Sequence, residues 1–281
     1  MAVLYSKDIV RGPYHRTEEI DLKKILLLGC GNMGGALLKA WAANTDHLFT
    51  VADPAEPELP ENVAQVRSVD ELGEDMFDYL VVALKPQLID MVLPDYLPHL
   101  AADGTISSIA AGYSAAKLAA HAPGRSVIRI MPNLPAVIGK GVSGLYAHGS
   151  VTETASREIE QLALCSGEIV WVDNEDMLDR LTAVAGSGPG YVFEMLRAYV
   201  EAAEALGFDE KDAKTLVLGT VQGALELALG SDRSLEDLRN NVTSKGGTTA
   251  AGLAALNATG EFSDLIRDTL QAAYQRAVEL R

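Results

Sequence analysis

The first chemical signal is carried by six residues. Gly29-Cys30-Gly31-Asn32-Met33-Gly34 spell G-x-G-x-x-G, directly after the apolar run Ile25-Leu26-Leu27-Leu28 and at the start of a helical pattern from about Met33 to Ala43. In a strand–turn–helix setting the first glycine permits the tight turn. The second lets backbone amides approach a pyrophosphate, and the third packs helix against strand. The helix N-terminus adds a partial positive charge. The chemistry is dinucleotide binding; the competing reading is a glycine turn with no ligand. Asp53 stands 24 residues beyond Gly29, at the end of the second predicted strand. There a carboxylate can accept hydrogen bonds from an adenosine ribose, although an Asp before Pro54 also suits an ordinary turn. Three further strand ends should face the same crevice. They bring Ala83, Lys85 and Pro86 from ALKP, Ala110 from AAG, and Asn133 from MPN. Small residues at Ala110 leave room for a flat ring, and Asn133 could bond a carboxamide. Singly, each of these is only a loop.

A second group lies far downstream. Asn241-Val242-Thr243-Ser244-Lys245-Gly246-Gly247-Thr248-Thr249 is dense in hydroxyls and glycines at a predicted helix start. Free amides there would receive a carboxylate. Alone, the segment reads more readily as a capping turn with no ligand. Gly186-Ser187-Gly188-Pro189-Gly190-Tyr191 precedes another helix.

The elements that position these residues follow from hydrophobic period. Strands are expected at His47–Ala52, Val63–Arg67, Tyr79–Leu84, Thr105–Ala110 and Ser126–Met131, alternating with helices at Leu88–Leu100 and Ala115–His121. Val142–Ala147, a helix from Thr152 and Glu168–Val172 add the last elements. Strands that alternate with helices predict an α/β fold, a Rossmann-type doubly wound parallel sheet. Past Trp171 the strand signal stops. Helices are expected at Asp179–Ala185, Tyr191–Leu206, Glu210–Leu229, Ser234–Asn240, Thr248–Ala258 and Phe262–Leu280. The organisation is an N-terminal extension over 1–23, a dinucleotide-binding domain over 24–172 and an all-α domain over 173–281. Within the last, LVLGTVQGALELAL at 216–229 is apolar nearly all round and must be buried nearly all round. A partner subunit covers it more readily than a domain of this size does; the alternative is the central helix of a monomeric bundle.

Composition narrows the field. The 281 residues are 48% hydrophobic and 22% charged, ordinary for a globular protein, and long enough for roughly two domains. Acidic residues outnumber basic ones 39 to 23, a net charge of −16, which opposes nucleic-acid and anionic-membrane partners. No apolar run is long enough to span a membrane. Residues 1–23 lack the apolar core of a signal peptide and read as a leader, partly disordered or laid against the domain. Two cysteines, Cys30 and Cys165, exclude a disulfide framework and a four-thiolate zinc site, leave one bridge formally open, and suit a cytoplasmic setting. No metal is expected.

From about Lys24 onward the chain resembles pyrroline-5-carboxylate reductase. The resemblance rests on GCGNMGGA, ALKPQ, SSIAAG, RIMPNLPA, AGSGPGYVFE and NVTSKGGTT. The glycine fingerprint is generic; AGSGPGY and NVTSKGGTT in one chain are specific. The resemblance implies an NAD(P)H-binding first domain, and a helical domain that supplies a homodimer, or an assembly of dimers, and the imino-acid pocket. It implies reduction of L-1-pyrroline-5-carboxylate to L-proline, the last step of proline biosynthesis. By the same likeness Ser244, Gly246, Gly247, Thr248 and Thr249 hold the carboxylate and ring nitrogen, with Thr249 as the catalytic-site residue. Lys245 departs from the family's usual proline, Gly190 from a common alanine, and the leader lies outside the pattern.

Two rivals remain at this stage. A β-hydroxyacid dehydrogenase shares the architecture but uses a lysine on the helix after the interdomain turn; Tyr191–Leu206 offers only Arg197, a poor proton shuttle. A non-catalytic redox sensor has no need of the hydroxyl-rich block. Between Val51 and Val66 there is no Arg or Lys, only Asp53, Glu56, Glu58 and Glu61, so NADH is expected over NADPH, with Arg67 the nearest cation able to fold back.

Overall fold

Strand β1 (Lys24–Leu28) shows why the sheet forms. Its last four residues are buried, and each apolar side chain so buried contributes roughly 1.5–3 kcal/mol. Alternate side chains face opposite ways. Ile25 and Leu27 join the cluster containing Leu37, Leu38 and Trp41 of α1 (Asn32–Asn44). Leu26 and Leu28 join Ile89 and Leu93 of α2 (Pro86–Tyr96) and Leu118 of α3 (Ala115–His121) on the other face. The sheet is therefore covered on both sides. This computed structural model describes residues 22–258 and 260–281, so the leader expected at the N-terminus lies almost wholly outside them.

The remaining strands are β2 (Leu48–Ala52), β3 (Val63–Val66), β4 (Phe77–Val82), β5 (Leu100–Ser108), β6 (Ser126–Met131), β7 (Gly141–His148) and β8 (Gly167–Trp171). They form one sheet in the order β3-β2-β1-β4-β5-β6-β7-β8. Pairing is parallel from β3 through β6, as expected of a doubly wound sheet. Two strands depart from the all-parallel expectation: β7 pairs antiparallel with β6, and β8, parallel to β7, runs with it against the other six. Residues 132–140 connect β6 to β7 through a short 3₁₀ turn, Leu134–Ile138. A parallel return needs about a dozen residues or more, so this connection can only reverse the chain. Helix α4 (Glu153–Leu164) supplies that crossover between β7 and β8.

Several boundaries moved for local reasons. Pro86 starts α2 at its first turn, where a missing N–H costs nothing, and the helix runs through Pro94 before a 3₁₀ turn at Leu97–His99. Strand β5 begins at Leu100, earlier than the apolar run suggests.

After Trp171 the described residues are helical: α5 (Glu175–Leu181), a π-helical turn (Thr182–Gly186), α6 (Gly188–Ala205), α7 (Glu210–Leu229), α8 (Leu235–Asn241), α9 (Thr248–Leu256) and α10 (Glu261–Leu280). Asn174 caps α5 by accepting from the Met177 amide, so the helix starts earlier than expected. Helix α10 returns onto α5 and the π turn. Helices α6 and α7 pack as a hairpin around Ala203, Ala213 and Val217. The rest of the α7 apolar surface stays bare: Leu225 is 58% exposed, Leu227 71% and Leu229 79%. Helices α8 and α9 bury no residue and pack substantially against no other described element. A single chain thus leaves uncovered the face that its sequence requires to be covered.

Candidate cofactor and substrate site

A cleft of ≈ 520 Å³ opens at the carboxyl ends of β1, β4 and β5. Its rim is formed by residues 31–34, 83–87 and 109–112, with Leu280 of α10 beside Gly112. Two helices begin there. The N-cap of α1 is Gly31 and that of α2 is Lys85, and neither helix has a side-chain cap. Their first-turn amides are thus directed at the cleft with their dipoles positive end outward, the arrangement an anion prefers.

Steric limits explain the glycines. Gly29 has φ +88°, the left-handed region. A Cβ on Gly34 would lie 2.9 Å from the Gly29 oxygen and 3.0 Å from the Ala83 Cβ, so no side chain fits where α1 crosses the turn. At Gly31 a Cβ would meet nothing within 4 Å. That opening faces the cleft, and it is space a pyrophosphate can take. These residues fit an NAD(P)H cofactor.

Asp53 does more than the sequence suggested. Its Oδ2 accepts from the Cys30 amide at 2.7 Å, and its Oδ1 from the Ala55 amide at 2.9 Å. The carboxylate therefore braces the glycine turn against the end of β2. It does not line the cleft itself, but both oxygens retain lone pairs for a ribose. Cations near the end of β2 are already engaged: Arg67 pairs with Glu56, and Lys39 with Glu58 at 3.1 Å. The last pair borders a second hollow of ≈ 390 Å³ that shares Gly31 and Asn32 with the cleft. Cys30 lies in the same turn; burial first, then the Asp53 charge, raises its thiol pKa above the usual range. Both cysteines are free thiols.

Gly31, Asn32, Met33, Gly34, Ala83, Lys85, Pro86 and Ala110 all border the cleft, as their strand-end positions predicted. Asn133 does not. Its Nδ2 donates to the Ala185 carbonyl at 3.0 Å, and its Oδ1 accepts from the Val142 amide at 2.9 Å. Buried and engaged at both ends, it ties the π turn to β7. Leu280 and Gln87 were missed. Gln87 stands beside a motif that was read, whereas no local signal could place Leu280 next to Gly112.

The downstream group forms the start of α9. Gly247 is its N-cap, with no side-chain cap, and Gly246 has φ +74°. A Cβ on Gly247 would lie 2.3 Å from the Ser244 Oγ, so a side chain there would push the Ser244 hydroxyl out of its place in the turn. Ser244, Lys245, Gly246, Thr248 and Thr249 are exposed, and Gly247 is half-buried. None of them lines the cleft of its own chain. Lys245 bonds no carboxylate among the described residues. Arg197, the cation weighed for dehydrogenase chemistry, is held by Glu194 and Glu201, which raise its pKa further. It cannot shuttle a proton.

Among the described residues no cluster of His, Cys, Asp or Glu could hold a metal ion, and no helix is long and apolar enough to cross a membrane. Residues 175–280 match the family model described as pyrroline-5-carboxylate reductase dimerisation. The pyrroline-5-carboxylate reductase of Pseudomonas aeruginosa is 36% identical over 265 residues, covering 92% of this chain and 96% of its own. That of Haemophilus influenzae is 34% identical, with 92% and 97% covered. The solved pyrroline-5-carboxylate reductase of Coxiella burnetii superposes with a TM-score of 0.82 at 30% identity, covering 92% of this chain and 99% of that one. The Plasmodium falciparum pyrroline carboxylate reductase, solved with NADP bound, gives 0.81 at 26% identity, with 93% and 99% covered. Such similarity spans the glycine turn, the cleft and the start of α9 alike, and on it the chain belongs to the pyrroline-5-carboxylate reductase family.

Proposed function

We propose that this protein reduces L-1-pyrroline-5-carboxylate to L-proline, the last step of proline biosynthesis, in the cytoplasm. The observation that carries the reading is the similarity to reductases of that name across both the cofactor cleft and the α9 turn. When bound, the dihydronicotinamide supplies a hydride, which the imine takes at its C=N carbon while the nitrogen carries a proton. The chain's own residues bind and orient. Gly29, Gly31, Asn32, Met33 and Gly34 receive the pyrophosphate on the α1 amides. Asp53 accepts from the adenosine ribose. Ala83, Lys85 and Pro86 flank the cofactor, and Ala110 offers a flat wall to the ring.

Ser244, Gly246, Gly247, Thr248 and Thr249 hold the substrate carboxylate and ring nitrogen. A free helix N-terminus with hydroxyls suits a carboxylate. An imine that arrives protonated needs no strong acid from the protein, and catalysis is then mainly proximity. Because this segment does not line the cleft of its own chain, and α7 to α9 lack cover, the working site is assembled in the homodimer: one copy's α9 turn meets its partner's cleft. The lean is toward NADH: Asp53 faces the ribose, while Arg67 and Lys39 are neutralised by Glu56 and Glu58.

A steady-state assay with pyrroline-5-carboxylate, following the loss of NADH or NADPH absorbance, tests the reading. Proline formation with a saturable rate is the expected result. No turnover with the imine, but oxidation of a 3-hydroxy acid with NAD, would hand the site to the dehydrogenase alternative.

A further inference from the structure

Arg129 sits in the middle of β6 between Ile128 and Ile130, and is 2% exposed. Its Nη2 donates to the Ala110 carbonyl at 2.9 Å, and its Nη1 to Glu175 Oε1 at 3.0 Å. The same Glu175 oxygen accepts from the Ala115 amide at 2.7 Å. One ion pair therefore holds both ends of the loop from Ala110 to Ala115, the loop that forms one wall of the cofactor cleft. A buried pair of this kind gives little net stability over an apolar substitute of the same volume, because desolvation offsets the attraction. What it fixes is geometry: each hydrogen bond is directional, and one carboxylate–guanidinium pair reaches both ends of the loop.

Glu175 is also the first residue of α5, where the helical half begins. One turn further along, Asp179 pairs with the Arg281 guanidinium at 3.0 Å. Next to Arg281 is Leu280, which borders the cleft and packs so closely on the same loop that a Cβ on Gly112 would lie 2.9 Å from the Leu280 oxygen. The loop and the Leu280 rim packed on it thus both hang from α5, one through Glu175 and one through Asp179.

We propose that Glu175, acting through Arg129, is a positioning residue for the nicotinamide-side wall of the cleft, and that α5 thereby sets where that wall stands from the helical half of the chain. This rests on the reading of the cleft as the NAD(P)H site. Glu175 touches neither cofactor nor substrate; it sets where Ala110 stands.

The test uses the intact protein with Glu175→Ala and Glu175→Gln. Glutamine keeps an acceptor for the Ala115 amide and for Arg129 but not the charge. NADH affinity is measured directly by fluorescence, and KM for cofactor and imine and kcat separately, with a deuterium isotope effect from 4-deuterated NADH. Loss of hydrogen bonds to a charged group predicts roughly tenfold weaker NADH binding in Glu175→Ala, with the imine KM changed by less than about twofold and only partial rescue in Glu175→Gln, which keeps the acceptor but not the charge and stays about threefold weaker than the parent. A larger isotope effect accompanies the loss as ring placement loosens. Unchanged NADH affinity in a folded Glu175→Ala would overturn the proposal. So would a fall in kcat alone, in proportion to the folded fraction. If Glu175→Ala does not fold, Glu175→Gln decides alone: parental NADH affinity, KM values and isotope effect refute a charge-dependent positioning role, and a severalfold weaker NADH affinity at parental imine KM supports it. A parent that binds NADH but does not reduce the imine would sink the proposed reaction and leave this binding test standing.

Discussion

Replacing Asp53 separates its two roles. Its carboxylate braces the glycine turn through the Cys30 and Ala55 amides at 2.7 and 2.9 Å. It is also the negative charge that an adenosine 2′-phosphate would approach. Two unit charges about 4 Å apart interact by roughly 1 kcal/mol in water and roughly 4 kcal/mol near a protein surface, so a half-exposed site should fall toward the lower figure. Each 1.4 kcal/mol or so is tenfold in affinity. Asp53→Ser keeps one acceptor for the turn and removes the charge. We expect the specificity constant for NADPH to rise about tenfold, and that for NADH to fall severalfold with the ribose contact. Adding Glu56→Gln should free Arg67 and strengthen NADPH further. The assay is the ratio of kcat/KM values for the two cofactors, with melting temperature followed in parallel, because a lost charge-assisted bond to the Cys30 amide destabilises the turn. If Asp53→Ser weakens both cofactors equally, Asp53 acts as a brace only and the charge argument fails. A clear NADPH preference in the parent would refute it sooner and direct attention to Arg67.

Three further predictions follow from the site. Mixing an Ala110→Trp protein, blocked at the cleft, with a Thr249→Ala protein, damaged at the α9 turn, should regenerate activity after subunit exchange, up to about a quarter of the parental level, since half the dimers are mixed and each holds one intact site; no regeneration would place both parts of the site in one chain. Thr249→Ala alone should lower kcat by about tenfold, the loss of one substrate hydrogen bond worth ~1–2 kcal/mol, with NADH affinity measured by fluorescence unchanged. Cys30 should react slowly with iodoacetamide at neutral pH and accelerate only well into the alkaline range, because burial and the Asp53 charge both disfavour its thiolate; rapid labelling of Cys30 at pH 7 would contradict the packing of the glycine turn.

What the sequence made legible depended on how local the cause was. The bounds of α3, β6 and α7 match their expected spans because each is fixed within its own few turns: Ser114 caps α3, and Asp209 caps α7. The glycine turn was readable because the limits at Gly29 and Gly34 are steric and set by the strand–helix crossing itself. The antiparallel β7 was missed because apolar alternation carries no direction; only the length of the 132–140 connection does, and that becomes meaningful once both ends are known. The ties that Asn133 makes were hidden for a related reason: the Ala185 carbonyl that takes its amide lies 52 residues away in sequence.

The bare face of α7 argues differently. Sequence required that Leu225, Leu227 and Leu229 be buried, and folding of one chain leaves them among its most exposed apolar residues. The same is true of α8 and α9, which flank the hydroxyls of the substrate group yet bury no residue against their own chain. A face that must be covered and is not, joined to a half-site that must meet a cleft and does not, has one economical resolution: both shortfalls are met by the same event, the docking of a second copy. Mutations that split the dimer should therefore abolish reduction of the imine while leaving NADH bound to the isolated cleft, since the glycine turn, Asp53 and the Arg129–Glu175 pair all lie within one chain.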